Sequence, residues 1–240
     1  MHEILHRGLA AARKNFWPGL ALQGVALAVV LLYYFHAPTG ELLSRIPGLK
    51  ERMGLLFPVL ATAVTGGLIP FALLAARREI PAGRRGSHLL FMLGFWAVNG
   101  LIIDFLYRAQ AEVFGDQVDA LTVVRKTLVD QFVFCPLWSA PFAAVAMRWK
   151  DGGFSFRALR AGLTRRLFLL DTLAVLLGIW AVWIPAVAMV YSLPLALQFP
   201  IFSVVLCFWS LLLAALSGRS GDGVAQGYCS KYVYPRRPVS

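Results

Sequence analysis

Six long apolar stretches, joined by short basic connections, leave this chain almost no residues with which to build a soluble core. They run from Trp17 to Phe35, Met53 to Ala76, Leu89 to Tyr107, Leu121 to Met147, Leu167 to Tyr191, and Pro194 to Leu216. The last two are parted only around Ser192, Leu193 and Pro194. A helix rises about 1.5 Å per residue, so about 20 apolar residues cross a hydrocarbon core about 30 Å thick. Runs such as Leu20 to Tyr34 are apolar on every face, unlike the alternating segments of a membrane β-barrel. Lipid offers no partners to backbone groups, so such spans must be helical. The chain is 59% apolar with a mean hydropathy of +0.68, well above soluble domains. The expectation is an all-α polytopic transmembrane bundle of about six membrane-spanning helices. It forms one domain over 1–216, followed by a polar tail at 217–240.

The Lys and Arg residues sort by side. Six crossings place both termini on one side of the membrane, where 17 basic residues gather, against six on the other. The positive-inside rule then puts the termini in the cytoplasm or an organellar matrix. The net charge of +11 is spread over all the juxtamembrane loops, which argues against nucleic acid. In the fourth loop, Phe156, Leu159 and Leu163 share a helical face, with Arg157, Arg160, Arg165 and Arg166 nearby. That loop reads equally as a plain positive-inside connection or as an interfacial helix on anionic lipid headgroups. Glu3, Arg7, Arg13 and Lys14 precede a full-length span without a small-residue cleavage site, so the first helix is expected to be retained. A bacterial cytoplasmic membrane and a mitochondrial inner membrane both fit.

No HExxH, GxSxG, Walker A or GxGxxG sequence occurs, and Cys135, Cys207 and Cys229 show no metal-ligand spacing. Neither enzyme activity, nor a metal, nor a cofactor is expected. Chemistry should instead reside in polar groups that are costly in lipid. Lys126, Asp130 and Gln131 lie in the fourth segment, where Lys126 and Asp130 are four apart and can form an ion pair. Pro136 should free the carbonyl of Phe132 and kink the helix. Asp104 and Arg108 form a second i,i+4 pair, Asp171 suits the first turn of the fifth segment, and Asn99, Gln23 and Gln198 suit interhelical hydrogen bonds. For Asp130 and Lys126, structural glue and a pore or gate both remain open. Ala63 with Gly67, and Ala140 with Ala144, permit close helix approach. Trp17, Trp96, Trp183 and Tyr107 suit interface anchors. An aromatic stripe in the last two segments lines a cavity or meets lipid.

From Asp104 to Ser217 the chain resembles the Mpv-seventeen and peroxisomal-membrane-protein-twenty-two family of small integral membrane proteins. The central match runs from Lys126 through Asp130 and Gln131 to Pro136, on the family's Lys-x3-Asp-Gln-x4-Pro pattern. Tyr107 and Asp119 fall near family positions before it. Trp180 and Trp183, then Pro194 and Trp209, follow the family's later spacing, with Pro185 shifted by one position. The sequence departs from the pattern at Met189, Val190, Gln198 and Ser210, and the first half lacks the family's Gly-Asp-x3-Gln motif. The resemblance implies a weakly selective channel or mover of small metabolites, with Asp130, Gln131 and Pro136 as motif positions. The expected function is therefore a small channel or passive transporter of small solutes. A secondary carrier and a non-conducting lipid-organising protein are the alternatives. Lipids, anionic ones included, are the expected partners, and six helices enclose so little space that a homo-oligomer also fits.

Overall fold

A computed structural model describes residues 2–162 and 165–217. Among them every regular element is a helix. The chain opens with α1 (His2–Phe35), followed by two short helices, α2 (Ala37–Leu43) and α3 (Ile46–Met53), each with a proline in its first turn. Proline is suited there because its missing N–H would have no helical partner. A second long helix is built from α4 (Leu56–Thr62), a π-helical turn at Ala63–Leu68, and α5 (Ile69–Ala76). Then come α6 (Arg85–Phe114), α7 (Ala120–Val129), a π-helical stretch at Asp130–Ser139, and α8 (Ala140–Asp151). The chain continues through α9 (Phe156–Gly162), α10 (Arg165–Tyr191) and α11 (Leu195–Ser217).

Among the described residues, five stretches are long and apolar enough to cross a membrane: Phe16–Phe35, Leu56–Ala76, Ala82–Phe114, Ala120–Lys150 and Leu195–Leu212. The remaining expected span is α10, whose 27 residues cover about 40 Å and include the apolar run Ile179–Tyr191. The chain is an all-α integral membrane protein. The break at Ser192–Pro194 is real: α10 and α11 are separate helices joined in a hairpin. The loop read between the first two spans is not loose chain, because α2 and α3 fill it. The polar tail beyond Ser217, with Cys229, lies outside the described residues.

At the centre stands α11, where Phe199, Val205 and Leu206 are buried among neighbouring helices. Against it lie α1, the α4–α5 helix, α6 and α10. The α7–α8 helix packs chiefly along α10. Small residues set the closest crossings. A Cβ on Gly100 would collide with Thr62 Oγ1 and the carbonyl of Pro58, so α6 meets α4 almost backbone to backbone. Thr62 Oγ1 lies 2.7 Å from the carbonyl oxygen of Trp96 and 2.8 Å from that of Pro58, and can donate to either. Gly67 brings the π turn against Met92 in the same way. Of the small residues read from the sequence, Ala63, Gly67, Ala140 and Ala144 are all buried.

Gln23 does act as interhelical glue, and Pro185 is the reason. A proline inside α10 cannot donate to the carbonyl four residues earlier, that of Ala181. Gln23 Nε2 on α1 donates to that carbonyl at 2.9 Å and lies 3.2 Å from that of Val182. At the far end of the same pair, Tyr34 donates to the carbonyl of Ser192 at 2.8 Å.

Asp119 caps α7, accepting from the amides of Leu121 at 2.9 Å and Thr122 at 3.1 Å, and from the Thr122 hydroxyl at 2.6 Å. The Thr122 hydroxyl above all, with these amides, holds its carboxyl below the ordinary value of 3.8. A lowered native pKa means that the cap is fully present above 3.8 and is lost as pH falls through the lower native value. Protection of the Leu121 and Thr122 amides, taken relative to the intrinsic exchange rate at each pH, should therefore hold from neutral pH down to mildly acidic pH and fall below it. At the α4–α6 crossing, Gly100→Ala should cost about 1–3 kcal/mol in unfolding measurements, as overpacked sites do. Gly94→Ala, with nothing within 4 Å of the new methyl, should leave stability unchanged or raised.

Candidate functional site

Asp130 is the first residue of the π-helical stretch and is 6% exposed, so its charge must be met inside the bundle. Three side chains meet it. Tyr191, the last residue of α10, donates its hydroxyl to Oδ2 at 2.8 Å. Gln131 Nε2 donates to Oδ1 at 2.9 Å, and the Cys135 thiol donates to the same oxygen at 3.7 Å. The Tyr191 hydroxyl in turn accepts from Gln110 Nε2 on α6 at 3.0 Å. A chain of hydrogen bonds thus runs from α6 through α10 to Asp130. Tyr191, Gln131 and Cys135 can each donate to a carboxyl oxygen of Asp130.

The π register explains the geometry around Pro136. In an α-helix this proline would orphan the carbonyl of Phe132, as the sequence suggested. Here the backbone bonds run to the fifth residue back, as the amide of Ala140 shows by bonding to the carbonyl of Cys135. The carbonyl without a donor is therefore that of Gln131. The indole of Trp180, reaching across from α10, donates to it at 3.1 Å. Trp180 thus replaces the hydrogen bond that Pro136 deletes, while its ring lies 5.0 Å from that of Phe132.

Beside Asp130 is a partly open cavity of about 130 Å³ lined by α6, the π stretch, α8, α10 and α11. Asn99, Tyr107, Asp130, Gln131, Cys135 and Ser139 supply its polar groups, and Trp96, Trp183 and Phe202 are among its aromatic walls. Three anchors read from the sequence are corrected here. Trp96 and Tyr107 are buried, and together with Trp183 they face the interior cavity rather than a membrane interface. Trp17, 75% exposed, keeps the anchor's position. The aromatic stripe lines the cavity through Trp183 and Phe202, and Trp209 packs edge-on against Trp183 at 6.1 Å.

Other residues read from the sequence separate into groups. Lys126 is buried at 1% exposed but makes no ion pair with Asp130, contrary to expectation. The oxygens of Asp130 are already taken by three donors, and a helical side chain leans toward the helix start. Asp116, in the loop before α7, is the acid that acts on Lys126 electrostatically. Asp104 and Arg108 do pair, at 2.8 Å, and Lys50 on α3 joins them at 2.6 Å, its ammonium 5.5 Å from the centre of the Phe199 ring. Asn99 donates to the carbonyl of Phe95 on its own helix, and Gln198 to that of Leu193 in the α10–α11 turn. Neither bridges separate spans as expected. Pro194 sits in that turn, away from the cavity. Arg157 and Arg160 on α9 are exposed, and Phe156 stacks on Trp149 with centroids 5.4 Å apart. The side chains of Arg165, Arg166 and Asp171 lie outside the described residues.

Tyr191 and Gln110 were not singled out from the sequence. A signal existed: Gln110 lies three residues after Tyr107 on the same face of α6, and the Tyr107 ring meets that of Tyr191 at 5.2 Å. Among the described residues no three His, Cys, Asp or Glu come together as a metal site would require.

Trp180→Phe should destabilise the protein by about 1–2 kcal/mol, because it leaves a buried carbonyl without a donor. Pro136→Ala restores an N–H to the register, so in the Pro136→Ala background the same change should cost clearly less. Unfolding of the four variants in detergent, analysed as a double-mutant cycle, measures the difference. No protein-family model matches this chain, and no curated protein or solved structure is detectably similar to it.

Proposed function

We propose that the chain is a passive transporter of small solutes, a narrow and weakly selective channel whose constriction is the cavity at Asp130. The observation that carries this reading is the placement of a buried carboxylate, an amide and an aromatic wall around open space inside the bundle. An ionisable residue buried inside a membrane protein is by default a functional-site candidate. Channel selectivity is set by polar groups lining a constriction, and Asp130 and Gln131 are such groups. The resemblance to the Mpv-seventeen and peroxisomal-membrane-protein-twenty-two family points the same way. Tyr107, Asp130, Gln131, Cys135 and Trp183 line the cavity, and Trp180 braces Gln131 from behind it. The charge asymmetry of the loops puts both termini on the cytoplasmic or matrix side.

A second reading, lipid organisation without conduction, is favoured by the exposed Arg157 and Arg160 beside the Trp149–Phe156 stack. On that reading, neutralising both arginines should abolish any preference for anionic lipid in vesicle binding. The transport reading is tested in planar bilayers with wild type beside Asp130→Asn across a salt gradient. Altered conductance or reversal potential from a folded variant is expected. Identical currents would remove Asp130 from the path, and silence from both folded proteins would remove the channel.

A further inference from the structure

We propose that the cavity beside Asp130 binds a small alkylammonium ion, with the N–H groups on Asp130 and Gln131 and the alkyl part against the aromatic wall. The proposal deepens the transport reading and rests on it only in taking this ion as the solute carried. Charge is the first argument. Asp130 is held by a tyrosine, an amide and a thiol, none of them cationic, and among the described residues no Lys or Arg lies within ion-pair distance of it. Lys126, the nearest candidate in sequence, makes no ion pair with it. A carboxylate at this depth favours a ligand that brings the missing positive charge.

The second argument is independent of charge. Gln131 is 2% exposed and lines the cavity, and its Oε1 has no hydrogen-bond partner among the described residues. A buried acceptor left unmet costs free energy that a donor on a ligand recovers. The same side chain spends its N–H on Asp130, so the orphaned atom lies next to the carboxylate that attracts the cation.

The walls and the volume narrow the class further. Trp96, Tyr107, Trp183 and Phe202 offer ring faces and edges to an organic cation, which favours aromatic surroundings when removed from water. A hard metal cation would ask for six or more oxygen ligands, which this lining does not supply. A volume of about 130 Å³ is close to that of a cavity of about 150 Å³ that admits benzene, so the occupant is a molecule of that size. Among the described residues Asp130 is the charged group that lines the space, so anions are rejected.

The full chain in zwitterionic nanodiscs is titrated with isobutylammonium, tetramethylammonium and isobutanol, which are nearly equal in size. Binding is read from tryptophan fluorescence, since Trp96 and Trp183 line the site. Isobutylammonium should bind at least ~10-fold more tightly than isobutanol, the scale of one charge-assisted hydrogen bond. Tetramethylammonium, which has no N–H for Gln131, should fall between them. Asp130→Asn should erase the preference for the cation. Because that variant loses a hydrogen-bonding carboxylate, Ala143→Leu is run beside it; it fills the cavity without touching the network and should weaken all three ligands. Equal binding of isobutanol and isobutylammonium to the wild type overturns the proposal, whatever the variants do. Flux of solutes through liposomes without cation preference overturns it while leaving transport standing. Tight ammonium binding without flux supports it and overturns transport instead.

Discussion

Every part of this fold answers to one requirement, that a carbonyl oxygen surrounded by lipid or apolar side chains must find a donor. Two prolines inside the spans break that rule locally, and the structure repairs both breaks from neighbouring helices. Pro185 frees the carbonyl of Ala181, and Gln23 reaches it from α1. Pro136 frees the carbonyl of Gln131, and Trp180 reaches it from α10. These repairs fix which helices are neighbours and at what register, since a slip of one turn would leave both carbonyls bare. Apolar packing cannot supply that specificity, because lipid tails and leucine side chains are equally apolar.

The π-helical stretch belongs to the same logic. An extra residue per hydrogen-bonded ring changes which side chains share a face, and it presents Asp130, Gln131 and Cys135 together to Tyr191 and to the cavity. It also hands the unpaired carbonyl to Gln131 rather than Phe132, where the indole of Trp180 can serve it. The polar network and the open space are thus products of one irregularity in one helix. Departures from α geometry of this kind gather at functional positions.

How much of this could be read from residues alone follows from the range of each interaction. The spans, the hairpin break at Ser192–Pro194 and the Asp104–Arg108 pair depend on hydropathy and on neighbours three or four positions apart, so the sequence carries them openly. The partnership of Gln23 with α10 was legible as a polar group in lipid that needed a partner, though its target was not. Lys126 and Asp130 misled because the i,i+4 rule assumes that no other donor competes, whereas Tyr191 comes from a helix sixty residues away in the chain. Trp96, Tyr107 and Trp183 misled because nearness to a segment end says how deep a residue sits and nothing about which side of its helix faces the bundle. The π register was invisible: Pro136 announces a disturbance, and only the packing around it decides which carbonyl loses its bond.

The two repairs share a consequence for the birth of the protein. Gln23 and the Pro136 region are both made before α10, and both take their partners from it. Until α10 leaves the ribosome, the first and fourth spans sit in the bilayer with a polar amide and a carbonyl unmet and with a carboxylate short of its tyrosine donor. The half-made chain is therefore an unhappy guest in lipid, and the arrival of one helix, carrying Pro185, Trp180 and Tyr191, converts several separate insertions into a single assembled body.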